Sequence, residues 1–333
     1  MSSPRGQVER LRYTSQALTD NPLGDPIERD VWVWLPPDYA ASGERYPVLW
    51  VLTGFTGRGR MALNDSPWAP GLDQRMDRLV AEGAPPAILV LPDCFTRYGG
   101  SQYVNSSATG RYEDYVIEEL VPLIDQELRT RGAGHRGVLG KSSGGFAALR
   151  LAMRHPEVFA AAACHSGDMA FELCYGQDVP AAARTLRNCG GVADFLRTFD
   201  TREKKTSTQV HTLNILAMAA CYSPNAEATC GFDLPFDLDD ASRIDDVWAR
   251  WLAHDPVLML EDSAAREALD GLKALFIDCG TRDEYWLDFG ARRFVKRLSS
   301  LDITHVYEEF DDDHRSISYR YDRSIPLLAN ALS

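Results

Sequence analysis

The residues best able to do chemistry in this sequence lie in VLGKSSGGFAAL, residues 138–149. Gly140-Lys141-Ser142 matches the end of a loop that wraps phosphate in backbone N–H groups. The longer Gly140-Lys141-Ser142-Ser143-Gly144 matches the sharp turn that presents a nucleophilic serine. A phosphate loop needs an earlier glycine where His135 stands, and Arg136 to Leu139 read as a strand where that loop should be. The serine turn needs glycine two residues either side of the nucleophile, because its backbone crowds neighbouring elements. Ser142 meets that condition, whereas Ser143 is flanked at the same spacing by Lys141 and Gly145. A small-residue helix follows, which places Ser142 at the positive end of a helix dipole.

A serine hydroxyl is a weak nucleophile without a base, and the base needs a group that fixes its tautomer. In an α/β-hydrolase fold, where such a turn occurs, the chain order is serine, acid, histidine, each on a loop after a strand. After the strand Ala274 to Asp278 comes CGTRDEY, and Asp283 in that loop is the expected acid. Asp278 still belongs to the strand, and Glu284 or Asp288 read as acids at the start of the next helix. After the last strand, DDDHRS contains His314, the expected base. Of the other six histidines, five fall inside elements, at helix ends or in the middle of the chain, where packing or surface roles explain them, and His165 ends a strand on the active-site edge, where it could touch substrate. Two backbone N–H groups must receive the developing oxyanion, and Ser143 and Phe55 of the TGFTG turn are the expected donors. Gly54, Lys141, His165 and Tyr103 are the candidate substrate contacts.

Short apolar runs alternate with segments of helical period, the signature of a mainly parallel central sheet with helices on both faces. The expected strands are Val31 to Leu35, Val48 to Leu52, Ala87 to Leu91, Gly137 to Leu139, Phe159 to Cys164, Ala274 to Asp278 and Thr304 to Phe310. The expected helices are Leu72 to Glu82, Tyr112 to Arg129, Ser143 to His155 and Tyr285 to Leu298. The rhythm breaks after Cys164, and residues 166–260 read as a helical, lid-like insertion between the nucleophile and acid strands, with helical patches at Leu213 to Tyr222 and Ile244 to Leu252. No linker separates a second unit, so residues 1–333 are expected to form a single domain.

Composition removes several classes of function. The chain has 333 residues, 45% of them apolar, enough to build a large core. Its 35 basic and 48 acidic residues give a net charge of −13 without a basic cluster, which argues against nucleic acid and anionic membrane as partners. No run approaches the roughly 18 apolar residues of a membrane span, and the first residues lack the apolar core of a leader, so the expected location is the cytoplasm. Seven widely spaced cysteines show neither a disulfide framework nor a zinc pattern, and read as buried small hydrophobes. The acidic runs 237–240 and 311–313 lack the glycine and spacing of a calcium loop. Neither metal nor organic cofactor is implied. Exposed apolar helices in the insertion would permit a homodimer.

The sequence resembles the putative-esterase family of α/β-hydrolases, which includes esterase D (S-formylglutathione hydrolase), enterochelin-type esterases and mycolyltransferases. The resemblance runs from NPLGD at residue 21 through TGFTG, LPDCFTRYGG, YVNSSATGRYEDYVIEELVPLID and GKSSGG to DCGTRDEYW and DDDHRS. It implies Ser142 as nucleophile, Asp283 as acid and His314 as base. The TGFTG turn departs from the family's cysteine-bearing SGLTC-like turn, and Lys141 and Ser143 depart from frequent residues beside the nucleophile. The reading is a serine hydrolase that cleaves a small-molecule carboxylic ester through an acyl-enzyme. Thioester hydrolysis and acyl transfer would use the same residues, and a non-catalytic binding module on the same fold is the rival of a different class.

Overall fold

A computed structural model of the chain describes residues 5–64, 66 and 68–333. The first four residues of the amino-terminal segment read above lie outside that set. Eight strands form one sheet: β1 (Gln7–Thr14), β2 (Glu28–Leu35), β3 (Val48–Leu52), β4 (Ile88–Pro92), β5 (Arg136–Lys141), β6 (Ala161–His165), β7 (Ala274–Gly280) and β8 (Val306–Phe310). Their order is β1-β2-β4-β3-β5-β6-β7-β8, and β2 alone runs against the others. The expected mainly parallel sheet is present.

Each central strand is apolar on both sides because both sides are covered. Along β3, Val48, Trp50 and Leu52 enter one core while Leu49 and Val51 enter the other. The second core is closed by α1 (Leu72–Ala81), and by a helix at the carboxyl end of the described chain. The first lies under α2 (residues 112–127) and α3 (Ser143–Arg154), whose Phe146 is wholly buried. Tyr112, Val116 and Leu120 form the inner stripe of α2, and a π turn over Tyr115–Leu120 shifts its phase.

Between β6 and β7 the chain forms α4 (Val179–Asn188), α5 (Val192–Thr201), α6 (Ser207–Tyr222), α7 (Asp245–Leu252) and α8 (Ser263–Asp270). α6 begins six residues before the expected patch, at a capping box in which Thr206 and Gln209 satisfy each other's backbone N–H. Its carboxyl half is buried, and Tyr222 stacks on Phe171 at 5.3 Å and on His254 at 4.8 Å. Phe146 of α3 joins the same cluster at 5.9 Å from Tyr222, so these helices are anchored directly to the helix that follows Ser142.

The chain closes with α9 (Leu287–Ser300), strand β8 and α10 (Tyr321–Leu332). Neither β1 nor α10 was expected from the sequence. β1 is an edge strand whose residues are exposed or half-buried, so it carries charges where an inner strand carries an apolar run. α10 contains Pro326, which disguises its helical period, yet Ile325, Leu328, Ala329 and Leu332 face the sheet. Among the described residues, no helix is long and apolar enough to cross a membrane.

A buried ion cluster joins α2 to α3. Glu113 accepts from Arg150 at 2.6 Å, and from Arg154 and His155 at 2.8 Å each. Burial alone would raise the Glu113 carboxyl, but the hydrogen bonds from His155 and the two guanidinium groups overcome it and hold the carboxyl far below its usual range. A depressed carboxyl stabilises the fold above its unfolded value near 4.5, and that contribution is lost as the pH falls toward the folded value. Glu113→Gln leaves Arg150 buried without its counter-charge and is expected to cost about 3 kcal/mol at pH 7. Urea melts at pH 7 and pH 3.5 should show a smaller acid loss in the variant than in the parent; an equal loss would contradict this account.

Candidate active site

β5 ends at Lys141 and α3 begins at Ser143, so Ser142 alone makes the turn. It does so at φ 58° and ψ −128°, a strained conformation for a residue with a side chain and worth about 1–3 kcal/mol. Two hydrogen bonds hold it there: Ser142 N–H donates to His165 O at 3.0 Å, and Phe146 N–H donates to Ser142 O at 2.9 Å. The flanking glycines are a steric requirement. A Cβ at Gly144 would lie 2.0 Å from Leu52 O, and one at Gly140 would lie 2.5 Å from the same atom. The sequence spacing therefore records how closely β3 approaches the turn.

The register aligns the carboxyl ends of the strands. Leu52 pairs with Gly140, Cys164 with Gly140, His165 with Asp278 and Gly280 with Phe310. The loops after β5, β7 and β8 therefore meet at one rim, the usual ligand-binding edge of such sheets. There His314 Nε2 lies 3.0 Å from Ser142 Oγ, and His314 Nδ1 lies 2.8 Å from Asp283 Oδ2. An ionised Asp283 accepts only, so Nδ1 carries the proton and Nε2 is the acceptor for the serine hydroxyl. Asp283 is itself fixed by the Tyr285 N–H, which donates to Oδ1 at 2.9 Å. The imidazole is held by Tyr285, whose ring meets it edge-on at 4.9 Å, and the backbone N–H of His314 donates to Glu284 Oε2 at 3.0 Å.

The neighbouring acids are engaged elsewhere. Asp311 pairs with Arg282, Asp312 accepts from Tyr319, Asp313 accepts from the Arg315 N–H, and Asp288 pairs with Arg292. Asp278 pairs with Arg320 on the opposite side of β7. Among the described residues, no cluster of three or more His, Cys, Asp or Glu side chains could hold a metal ion.

A cleft of about 570 Å³ opens over Ser142, and Gly54, Phe55, Lys141, Ser143 and His314 line it. A Cβ at Gly54 would lie 3.3 Å from Ser142 Cβ, so the Thr53–Gly57 turn runs directly against the serine. Among the described residues, none forms a hydrogen bond or ion pair with the Lys141 ammonium; burial lowers its pKa, while the fields of Asp283, Glu284 and Asp168 act in the opposite sense.

Two expected substrate contacts do not reach the cleft. Tyr103 is buried beneath the turn, where its hydroxyl accepts from Thr53 N–H at 2.8 Å and donates to Thr53 O at 3.0 Å. It braces the loop that carries Phe55. His165 is 1% exposed and points into the core under α10, with Nδ1 2.7 Å from Asp278 Oδ1 and Nε2 2.8 Å from Ser324 Oγ. Strand alternation explains the correction, since the last side chain of β6 turns to the α10 face.

The residue of that segment that does reach the cleft is Asp168, three positions later. It is 6% exposed and its Oδ1 lies 3.3 Å from Ser142 Oγ. From α6, Ser207, Val210, His211 and Asn214 form one helical face along the cleft wall. Sequence reasoning missed that face because polar residues replace the apolar signal that marks a buried stripe.

Comparison with known proteins fits this geometry. Residues 26–320 match the family model for putative esterases. Esterase Rv1288 of Mycobacterium tuberculosis is 31% identical over 173 residues, covering 50% of this chain and 33% of that protein, so the chain spans about a third of the length of the curated relatives it matches. An S-formylglutathione hydrolase from Agrobacterium tumefaciens has the same fold, with a TM-score of 0.63 and 20% identity over 100% of this chain and 98% of that one. A ferulic acid esterase superposes with a TM-score of 0.60 and 18% identity, over 98% and 99% of the two chains. The fold is that of the α/β-hydrolase esterases, and the chain belongs to the putative esterase family.

Proposed function

We propose that the protein hydrolyses carboxylic esters of small molecules, with Ser142 as nucleophile, His314 as general base and acid, and Asp283 as the group that orients and charges the imidazole. The observation that carries this reading is the continuous path Ser142 Oγ, His314 and Asp283, with steps of 3.0 and 2.8 Å. In the first step Oγ bonds to the acyl carbon while its proton passes to His314 Nε2. The leaving alcohol takes that proton as the C–O bond breaks, and Ser142 holds the acyl group as an ester. Water then adds to the same carbon, giving its proton to His314, and the carboxylic acid departs as that proton returns to Oγ.

The negative charge that forms on the acyl oxygen falls to the backbone N–H groups of Ser143, the first residue of α3, and Phe55, on the turn packed against the serine. Donors fixed before reaction stabilise that charge without reorganising. The helices between β6 and β7 act as a lid in this reading. They supply the wall of the cleft opposite the Thr53–Gly57 turn and limit the size and polarity of the substrate.

Ser142→Ala should abolish turnover of p-nitrophenyl acetate while the circular dichroism and melting temperature of the parent are retained; undiminished turnover would refute the assignment. Asp283→Asn should lower kcat by about 10⁴-fold, because the amide favours the wrong imidazole tautomer. The buried array at His165 provides the contrast. Ser324→Ala should cost about 1 kcal/mol of stability, measured by urea titration, and leave kcat unchanged. A comparable loss of kcat in Ser324→Ala would mean that the wrong serine had been chosen.

A further inference from the structure

Asp168 has no part in the steps above, yet it lies against the nucleophile. Its two oxygens differ. Oδ2 is enclosed, accepting from Ser143 Oγ and Tyr175 Oη at 2.9 Å each, with Gln102 Nε2 at 3.4 Å. Asp168 lines the cleft, and among the described residues the one hydrogen-bond partner of its Oδ1 is Ser142 Oγ at 3.3 Å. That hydroxyl carries a single proton, which it donates to His314 Nε2 at the shorter distance of 3.0 Å. Asp168 Oδ1 is therefore an oriented acceptor without a committed donor, beside the atom that takes up the acyl group. An acceptor in that state is better satisfied once a donor on a bound ligand reaches it.

We propose that Asp168 selects acyl groups that carry a hydroxyl on the carbon next to the scissile carbonyl. The inference rests on the esterase reading and names a substrate class for the same site. In the acyl-enzyme, that hydroxyl lies two bonds beyond the atom attached to Oγ, within hydrogen-bonding reach of an oxygen 3.3 Å from Oγ. The surroundings favour a neutral donor. A carboxylate on the acyl group would meet the buried Asp168, whose own carboxyl is raised by burial, with Tyr175 and Ser143 opposing that shift. An ammonium would share the cleft with Lys141, Lys205 and Arg315. The donors on Oδ2 come from Ser143 beside the nucleophile and from Tyr175 at the base of the lid, so the acceptor is held by both walls.

The test compares phenyl esters of propanoate, 2-hydroxypropanoate and 2-methoxypropanoate. The methoxy ester keeps the electron-withdrawing oxygen but lacks the donor and adds a methyl group. The parent enzyme should show kcat/KM for the hydroxy ester at least about tenfold above both others, the scale of a hydrogen bond to a charged acceptor. In Asp168→Ala the ratio of kcat/KM for the hydroxy ester to that for the methoxy ester should fall to about one. Equal kcat/KM for the hydroxy and methoxy esters in the parent would overturn the proposal, and this measurement needs no variant to fold. An Asp168→Ala variant that loses activity equally on all three esters would also overturn it, showing that Asp168 acts through Ser142. Failure of the parent to hydrolyse any of the three would defeat the esterase reading itself, a separate outcome.

Discussion

The approach of the end of β3 to the turn at Ser142 governs the rest of the site. Leu52 O occupies the space where side chains at positions 140 and 144 would stand, so both must be glycine. The same contact fixes the Thr53–Gly57 turn against Ser142 and leaves the serine as the single residue between strand and helix. Its strained φ is sustained by hydrogen bonds to β6 on one side and into α3 on the other. A slip of one residue between β3 and β5 would invert the buried alternation of both strands and drive backbone into backbone, so register and site are specified together.

Two Ser-His-Asp arrays sit in this fold, and their geometry alone does not separate them. His165 lies 2.7 Å from Asp278 and 2.8 Å from Ser324; His314 lies 2.8 Å from Asp283 and 3.0 Å from Ser142. Access separates them. Ser324 and Asp278 are 0% exposed, and Arg320 covers the second oxygen of Asp278, so the inner array is a satisfied polar network joining β6, β7 and α10. Ser142 stands at the floor of a cleft, on a turn whose strain turns its hydroxyl outward. Burial and backbone conformation distinguish a structural array from the one on which the hydrolytic reading rests.

Much of this was legible in the sequence because close packing leaves a residue-specific record. The glycines at 140 and 144, the loop positions of Asp283 and His314, and the unbroken apolar runs of β3 and β4 all follow from constraints that act along the chain. β1 was not legible, since an edge strand of exposed and half-buried residues lacks the apolar run of an inner strand. Nor was the destination of His165, whose place at a strand end looked like a place in the cleft. Which face a terminal strand residue takes depends on pairing with Lys141 and Asp278, a long-range fact. The Ser-Gly-Asp that follows it carried the signal that mattered, and only packing of Tyr175 and Ser143 around Asp168 reveals it. The polar face of α6 was hidden for a related reason, because its residues serve a cleft and obey no hydrophobic period.

The central claim is that the hydroxyl at position 142 becomes a nucleophile through His314. A fluorophosphonate forms a covalent adduct only with a serine so activated, and intact mass followed by peptide mapping locates it. The account requires one adduct per chain, on the peptide carrying Ser142, formed rapidly at neutral pH and lost in a folded His314→Ala variant. An unmodified folded protein, or an adduct on any other residue, would contradict it.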